Sequence, residues 1–313
     1  MKQRKMLALM LVLSTLAAVL CGCAPQNNAP ATTNGAANPS TAQPTAATKE
    51  DKFGGVATFV INADPKNINY FASNGGNIDI QSAILTNDYL ALYNPTTGKY
   101  EGRLLESFEM SEDGKVWTMK LRDNIFWHDG MQLTTEDVVF TYEYLRDPTL
   151  DVMESQDAPL IDETFEIVDK LTYKVITKEP NPSELSDWQG VLPKHIWKNV
   201  PPSNFSKAEQ GRLMVGCGPF KMTEYKVGEY IRYDRFDDYY GGKPYLDTIY
   251  YRIIPDAAAA SAALESGQVD CITVDATVAG QMQDKPGISL WQGPSGNVNR
   301  LYFNLTNEKF TDV

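Results

Sequence analysis

The stretch from Ser111 to Leu145 constrains the fold of this chain more than any other, because it contains a turn, a strand, a second turn and a helix in succession. Asp113 and Gly114 are turn formers, and Asp129 and Gly130 mark the second turn. Between the turns, apolar and polar residues alternate with the two-residue period of a half-buried strand, with Trp117, Met119 and Leu121 on the apolar face. The pattern predicts a fold that mixes strands and helices.

A helix is predicted to begin near Thr135. Thr134 and Asp137 fit a capping box, in which the threonine caps the first turn and the acid reaches back to the opened backbone. The helix should end before Pro148, because the residue preceding a proline resists the helical region. Its predicted apolar face comprises Val138, Tyr142 and Leu145.

As a whole, this stretch resembles the signature of the extracellular solute-binding proteins of family 5, the oligopeptide- and dipeptide-binding group of ABC importers. The insertion of Trp127 between Phe126 and His128 is its one departure from the family spacing. The matching residues are Ser111, Asp113, Gly114, Trp117, Leu121, Arg122, Phe126, His128, Asp129, Gly130, Thr135, Glu136, Asp137 and Val138.

Three later segments resemble motifs of the same family. Residues 192–195 read Leu-Pro-Lys-His, and residues 216–220 resemble Gly-Thr-Gly-Pro-Phe, with Cys217 in place of threonine. The aromatic loop of residues 236–247 contains the Gly-Gly-Lys-Pro run of a third motif.

The resemblance implies an α/β, periplasmic-binding-protein-like (type II) bilobal fold with an inserted small lobe, and a second large lobe that is missing or incomplete. The expected divisions are a lipoprotein signal peptide (1–23), a disordered tether (24–52), the first part of the main lobe (53–100), the inserted small lobe (101–190), the second part of the main lobe (191–305) and the start of the truncated second large lobe (306–313).

Further elements are predicted from local patterns. A hairpin should turn near Asp169 and Lys170, and Asp256 can cap a helix that ends at Gly267. The other predicted elements are strands at Val56 to Asn62, Phe220 to Tyr225, Tyr230 to Arg235, Ile249 to Ile254, Val269 to Val274 and Arg300 to Leu305, and a helix from Ile78 to Leu92.

The amino-terminal segment predicts export and lipid anchoring. Basic residues precede an apolar run from Met6 to Leu20, as in a secretory signal. Gly22 and Cys23 resemble a lipobox, which implies lipidation of Cys23; the alternative is an ordinary signal with Cys23 as a free thiol. Residues 24–50 have almost no charged or large apolar side chain, which predicts a flexible tether. The expected location is the cell envelope, at the outer face of the cytoplasmic membrane or in the periplasmic space.

The net charge argues against one class of binding partner, and the cysteine content leaves the disulfide state open. Acidic residues outnumber basic ones by 40 to 28, for a net charge of -12, which argues against nucleic acid as a partner. Cys217 and Cys271 can either pair in an oxidising compartment or remain separate, and the sequence leaves both open.

No catalytic or metal constellation is found in the sequence, so neither an enzyme nor a cofactor is predicted. His128 and His195 are the only imidazoles, and both positions suggest structural roles. A secreted hydrolase remains a distant alternative that a peptide-cleavage assay would exclude.

The resemblance places the ligand cleft beside the first strand of the main lobe. The predicted ligand-binding residues are Asn69, Tyr70, Phe71, Ser73, Asn74, Trp188 and Asn297; the alternative for Tyr70 and Phe71 is simple packing against a neighbouring helix.

These expectations describe a monomeric substrate-binding lipoprotein that hands peptides to an ABC permease and ATPase complex. The alternatives are a truncated surface lipoprotein in adhesion or signalling, and a family relative that binds an oligosaccharide or a nickel complex.

Overall fold

The computed structural model describes residues 52–65, 71, 85–151, 163–182, 184–186, 190–211, 213–291 and 293, and the structural statements below concern these residues. All of them belong to one compact unit that begins at Ala47. Its strands are β1 (Val56–Ile61), β2 (Ala91–Asn94), β3 (Lys99–Gly102), β4 (Leu105–Met110), β5 (Val116–Leu121), β6 (Glu163–Ile167), β7 (Thr172–Thr177), β8 (Phe220–Lys226), β9 (Tyr230–Arg235) and β10 (Thr248–Ile253). Its helices are α1 (Thr135–Leu145), α2 (Lys194–Trp197), α3 (Ala257–Glu265) and α4 (Ala276–Met282), with short 3-10 helices at Glu184–Ser186, Pro202–Lys207 and Glu209–Gly211.

The first sheet has the order β1-β10-β9-β8. β1 runs parallel to β10, with Val56 opposite Thr248, whereas β10, β9 and β8 pair in antiparallel fashion. The four strands that the sequence predicts for this sheet, which correspond to β1, β8, β9 and β10, are therefore confirmed. The buried side of this sheet includes Ile231 and Tyr233, which are fully buried.

The strand predicted from Val269 to Val274 is wrong. Only Cys271 pairs with β1, through a parallel bridge to Phe59. Asp270 and Cys271 both donate backbone hydrogen bonds to the Thr58 carbonyl, and the Asp270 carboxylate accepts from the Thr58 amide at 2.7 Å. The chain then leaves the edge of β1, because Asp275 caps α4 by accepting hydrogen bonds from two amides of its first turn. The helix before this segment, α3, is confirmed together with its Asp256 cap.

The second sheet has the order β4-β5-β7-β6, and every pair in it is antiparallel. β5 shows the predicted alternation, with Trp117, Met119 and Leu121 buried. At the turn before β5, Asp113 accepts a hydrogen bond from the Ser111 hydroxyl at 2.6 Å, and Gly114 adopts a φ of 71°. The turn between β6 and β7 is also confirmed, since Asp169 accepts from two backbone amides that follow it.

Helix α1 packs on the second sheet. Its predicted cap is present: the Asp137 carboxylate accepts from the backbone amide of Thr134 at 2.9 Å. The predicted face of Val138, Tyr142 and Leu145 is buried, and the Tyr142 ring lies 3.9 Å from that of Phe165 on β6. Trp127, the departure from the family spacing, is completely buried in the same core.

The helix predicted from Ile78 to Leu92 is wrong at its carboxyl end. Residues 78–84 lie outside the described residues, and helical structure is seen at Leu85 and Thr86. From Ala91 the chain forms β2, which pairs with β3. The reason is long-range pairing: the Leu90 carbonyl accepts hydrogen bonds from the amides of Arg103 and Leu105, which draws this segment into a hairpin.

The two cysteines do not form a disulfide. Cys217 is buried and Cys271 is exposed, and both are free thiols. Burial raises the pKa of the Cys217 thiol far above its ordinary value, so this group is kept as an unreactive thiol. The sequence left open whether Cys217 and Cys271 pair, and the structure shows two separate thiols.

Candidate functional site

Of the predicted ligand-binding residues, only Phe71 lies among the described residues. Its ring packs against the apolar cluster around Tyr144 and Trp197. Gly190 touches the same ring, since a Cβ at position 190 would lie 3.1 Å from the Phe71 Cζ. Packing of Phe71, which was the alternative to a cleft role, is therefore present. The remaining predicted positions lie outside the described residues: Asn69, Tyr70, Ser73, Asn74, Trp188, Asn297 and the lipidation site Cys23.

The best-defined polar site in the described structure is a junction between the second turn of the signature stretch and the loop before β8. Its centre is His128, which is held by backbone groups on both sides of the ring. The Gly216 amide donates to Nδ1 at 3.2 Å, and Nε2 lies 3.0 Å from the Gly218 carbonyl oxygen. This arrangement requires the neutral imidazole with its proton on Nε2, because Nδ1 accepts and a carbonyl can only accept.

The environment of His128 keeps the ring neutral. Burial, aided by the nearby Lys221 ammonium, lowers its pKa from 6.5 to about 4, while the Gly218 carbonyl and Asp129 act in the opposite direction. The Lys221 Nζ donates to the His128 carbonyl at 2.8 Å and lies 4.4 Å from the Phe236 ring centroid. His128 therefore acts as a structural cross-link between distant segments, as the sequence suggested.

Two glycines allow the backbones to approach at this junction. A Cβ on Gly216 would lie 1.8 Å from the Thr86 carbonyl oxygen, and one on Gly218 would lie 2.6 Å from the Thr86 carbonyl carbon. The Gly218 amide donates to that same Thr86 oxygen at 2.8 Å. Any side chain at either position would force these backbones apart, which explains the glycines that flank Cys217.

A second polar network surrounds Asp88, whose side chain is 4% exposed. Arg103 donates to both of its oxygens, at 3.1 and 2.9 Å. The hydroxyls of Tyr239 and Tyr240 donate to Oδ2 at 2.7 and 2.6 Å. Such a bidentate pair with two further donors compensates the desolvation of the carboxylate. The first part of the aromatic loop, residues 236–242, is thereby fixed against the segment that precedes β2.

The contacts within this network raise the pKa values of Arg103 and of both tyrosines. The hydrogen bond to Asp88 raises the pKa of Arg103 above its ordinary value, against the effect of burial. Burial and the negative charge of Asp88 raise the pKa of Tyr239 and Tyr240 well above their ordinary value. Arg103, Tyr239 and Tyr240 therefore each keep one protonation state at neutral pH. Sequence reasoning identified the aromatic loop but missed Asp88 and Arg103, since no local signal links positions so far apart.

Two surface clefts adjoin these motifs. The larger, of about 710 Å³, is lined by residues drawn from three segments, 131–137, 167–170 and 194–198. Lysines and carboxylates are equal in number among its described lining residues, and several of them already have partners: Lys194 pairs with Glu136 at 3.1 Å, and Asp137 accepts from the Lys194 amide at 2.9 Å. His195, which also lines this cleft, contacts Asp129 at 2.7 Å. The smaller cleft, of about 550 Å³, lies between residues 124–130 and 236–242.

The described residues contain no group of three or more histidine, cysteine, aspartate or glutamate side chains arranged to hold a metal ion. Within the same part of the chain, no helix is both long and apolar enough to cross a membrane. The segment predicted to be a signal, Met6 to Leu20, lies outside the described residues.

Comparison with known proteins gives a consistent relationship. The chain is 38% identical over 183 residues to the oligopeptide-binding protein AppA of Bacillus subtilis, covering 56% of this chain and 33% of that protein. The structure of the Bacillus subtilis AppA in complex with a nonapeptide matches with a TM-score of 0.68 and 28% identity, covering 74% of this chain and 46% of that one. The structure of NikZ from Campylobacter jejuni in complex with Ni(L-His) matches with a TM-score of 0.72 and 25% identity, covering 82% and 51%.

The chain thus spans between about a third and a half of the length of these relatives. A family model described as bacterial extracellular solute-binding proteins, family 5 middle, matches residues 99–313, which is more than half of the chain. The match includes the signature stretch, both glycines beside Cys217 and the aromatic loop, and the family description names solute-binding proteins. The chain belongs to the bacterial extracellular solute-binding proteins of family 5.

Proposed function

We propose that this chain is part of a substrate-binding lipoprotein of an ABC importer, which binds peptides outside the membrane and delivers them to the permease. The observation that carries this proposal is the 38% identity to an oligopeptide-binding protein, together with the match to a relative solved with a nonapeptide. The family description, which names extracellular proteins, supports a periplasmic or extracellular location.

The proposed lobes follow the two sheets. The second sheet draws all its strands from residues 105–177, inside the proposed small lobe of residues 101–190. The first sheet combines β1 with β8, β9 and β10, which supports a main lobe formed by residues 53–100 and 191–305. The cross-links at His128 and Asp88 would hold the two lobes as one support, against which a further large lobe closes over the solute.

The proposed solute site comprises the segment around Phe71 together with Trp188 and Asn297. Tyr70, Phe71 and Trp188 would offer apolar faces to varied side chains. Asn69, Ser73, Asn74 and Asn297 would supply hydrogen bonds to an extended peptide backbone. Affinity would then come mainly from the main chain, and many peptide sequences would be accepted.

Calorimetric titration of the complete protein, including the further large lobe, with a panel of dipeptides and oligopeptides tests this site. Tyr70→Ala and Trp188→Ala should each weaken peptide binding about tenfold, which is the order expected for losing one aromatic contact. Tyr93→Ala is the matched control, because Tyr93 is an exposed aromatic on β2. Unchanged affinity in both variants would reject the assignment, and a panel without any binder would favour a surface lipoprotein that does not transport.

Lipid anchoring at Cys23 is a separate proposal with its own test. Cys23→Ser should move the protein from the detergent phase to the aqueous phase in a detergent partition, whereas Cys21→Ser should not. Release by the Cys21 variant instead would place the lipid on the other cysteine. Light scattering of the soluble Cys23→Ser form tests the proposed monomer.

A nickel complex is the second candidate solute, because one solved relative holds Ni(L-His). Titration with nickel and histidine together, compared with histidine alone, separates this candidate from a peptide. Tight binding that requires the metal, without peptide binding, would replace the peptide proposal.

A further inference from the structure

The smaller cleft, defined by residues 124–130 and 236–242, has an unusual lining. Four of its residues are aromatic, namely Phe126, Phe236, Tyr239 and Tyr240. The other polar lining residues are Asn124 and Asp238, and none of the described residues that line the cleft is a lysine, arginine or histidine. A volume of about 550 Å³ falls in the range of small-molecule sites, which combine apolar walls with a few polar groups.

The aromatic walls are held in place by groups outside the cleft. The hydroxyls of Tyr239 and Tyr240 are both bound to Asp88, and the two rings lie 4.8 Å apart. Phe236 is buried and meets the edge of the His128 ring at 5.1 Å. Walls fixed in this way lose little entropy when a ligand binds, which favours affinity.

The rim of the cleft is kept open by two glycines. Gly130 and Gly242 have φ values of 90° and 99°, a region in which other residues are strained. A Cβ at either position would meet no atom of the described residues within 4 Å. The glycines therefore satisfy the backbone and add no side chain of their own to the rim of the cleft.

Asp238 is the one charged residue among the described residues that line the cleft, and its charge is negative. Asp238 is exposed and has no ion pair or hydrogen bond to its carboxylate among the described residues, whereas the adjacent Asp237 is bound by Arg235 and Lys243. Phe126 is 37% exposed. Aromatic rings together with one free carboxylate attract a cation, because the ring face and the carboxylate are both negative.

Two of the four aromatic rings of the cleft already have a positively charged side chain of the protein over their faces. Lys221 lies over Phe236, and the Arg122 guanidinium lies 5.9 Å from the Tyr240 centroid. Among the described residues, neither Phe126 nor Tyr239 has a protein cation over its ring face, although the Arg103 guanidinium donates to the Tyr239 hydroxyl at the ring edge at 2.9 Å. The faces of these two rings and the Asp238 carboxylate are the cation-attracting groups of the cleft that no described cation occupies.

We propose that the cleft between residues 124–130 and 236–242 binds a small organic cation, with an alkylammonium or guanidinium group placed against Phe126 and Tyr239 and paired with Asp238. This site is separate from the proposed solute site beside Phe71 and goes beyond the proposed transport function. Free small cations fit it better than a flat membrane surface, because the walls are concave and rigid.

Choline and agmatine are the probes, and 3,3-dimethylbutan-1-ol is the uncharged analogue of choline. Ligand-observed NMR on the intact protein should give saturable binding of at least one cation, and the uncharged alcohol should bind at least tenfold more weakly. Asp238→Asn and Phe126→Ala should each weaken cation binding about fivefold to tenfold. Asp284→Asn and Tyr93→Ala, which change an exposed acid and an exposed aromatic elsewhere, should leave it unchanged.

Several results would overturn the proposal. These are the absence of saturable binding for both cations, equal binding of the uncharged alcohol, and equal effects of Asp238→Asn and Asp284→Asn. Cation binding that survives Asp238→Asn but is lost in Tyr70→Ala would assign the cation to the proposed solute site instead. Thermal unfolding of each variant shows whether a loss of binding arises from loss of the fold.

Discussion

Protonation of His128 is expected to destabilise the protein as the pH falls below neutrality. In the folded state the neutral ring accepts a hydrogen bond from Gly216 and meets the Gly218 carbonyl, and its pKa is lowered from 6.5 to about 4. In the unfolded chain the ring is exposed and has its ordinary pKa. The unfolded state therefore binds a proton at a higher pH than the folded state.

The sign and size of the effect follow from these two pKa values. Above pH 6.5 the ring is neutral in both states, so it contributes no pH dependence. Between pH 6.5 and 4 only the unfolded state is protonated, and the free energy of unfolding falls by roughly 1.4 kcal/mol per pH unit. The total loss from this group is about 3 kcal/mol, reached near pH 4 and constant below it.

Urea unfolding of the protein and of His128→Gln at pH 7, 6, 5 and 4 measures this contribution. The variant should be less stable at pH 7, because the backbone bonds at the junction are disturbed. Its stability should then fall by about 3 kcal/mol less than that of the parent protein between pH 7 and 4. His195→Gln is the control, since it removes the other imidazole of the chain.

Equal pH dependence in His128→Gln and the parent protein would refute this account of the junction. NMR titration of His195→Gln offers a direct check, because His128 is then the only imidazole in the chain. A measured pKa near 6.5 in the folded state would show that the ring is neither desolvated nor held by the two glycines.

Three further outcomes follow from the described contacts. Gly218→Ala should lower the free energy of unfolding by about 3 kcal/mol in urea titrations, because its Cβ would lie 2.6 Å from a backbone carbon; Gly280→Ala, at an open position in α4, should stabilise by up to about 1 kcal/mol, and equal effects would contradict the close packing. Iodoacetamide should label Cys271 in the native protein but Cys217 only after unfolding, as judged by peptide mass spectrometry; rapid native labelling of Cys217 would be inconsistent with its burial. Asp256→Ala should cost about 1 kcal/mol in thermal unfolding through loss of the α3 cap, and an unchanged midpoint would argue against that cap.

Much of the local structure could be predicted from the sequence. The alternation in β5, the turns at Asp113 and Asp169, and the capping of α1 and α3 were all predicted correctly. Each depends on residues within a few positions of one another, so the interactions that stabilise these elements are present in the segment itself. The family was identified from the same kind of local pattern, and the family model confirms it.

The errors in the fold have a common cause. The residues before β2 have a helical pattern, but Leu90 accepts hydrogen bonds from Arg103 and Leu105. The segment around Cys271 has a strand pattern, but it keeps only one bridge to β1 before Asp275 starts α4. In both places tertiary pairing or a neighbouring cap decided between conformations whose local preferences were similar.

The sequence from Ser111 to Leu145 by itself determined a strand, two turns, a capped helix and the family, because near neighbours supply those interactions. Only the tertiary structure decided the protonation state of His128, the binding of Tyr239 and Tyr240 by Asp88, and the aromatic cleft with its free Asp238. The partners of these groups lie as many as 151 or 152 positions away in the chain, and a pattern of adjacent residues contains no information on which distant side chain will meet another.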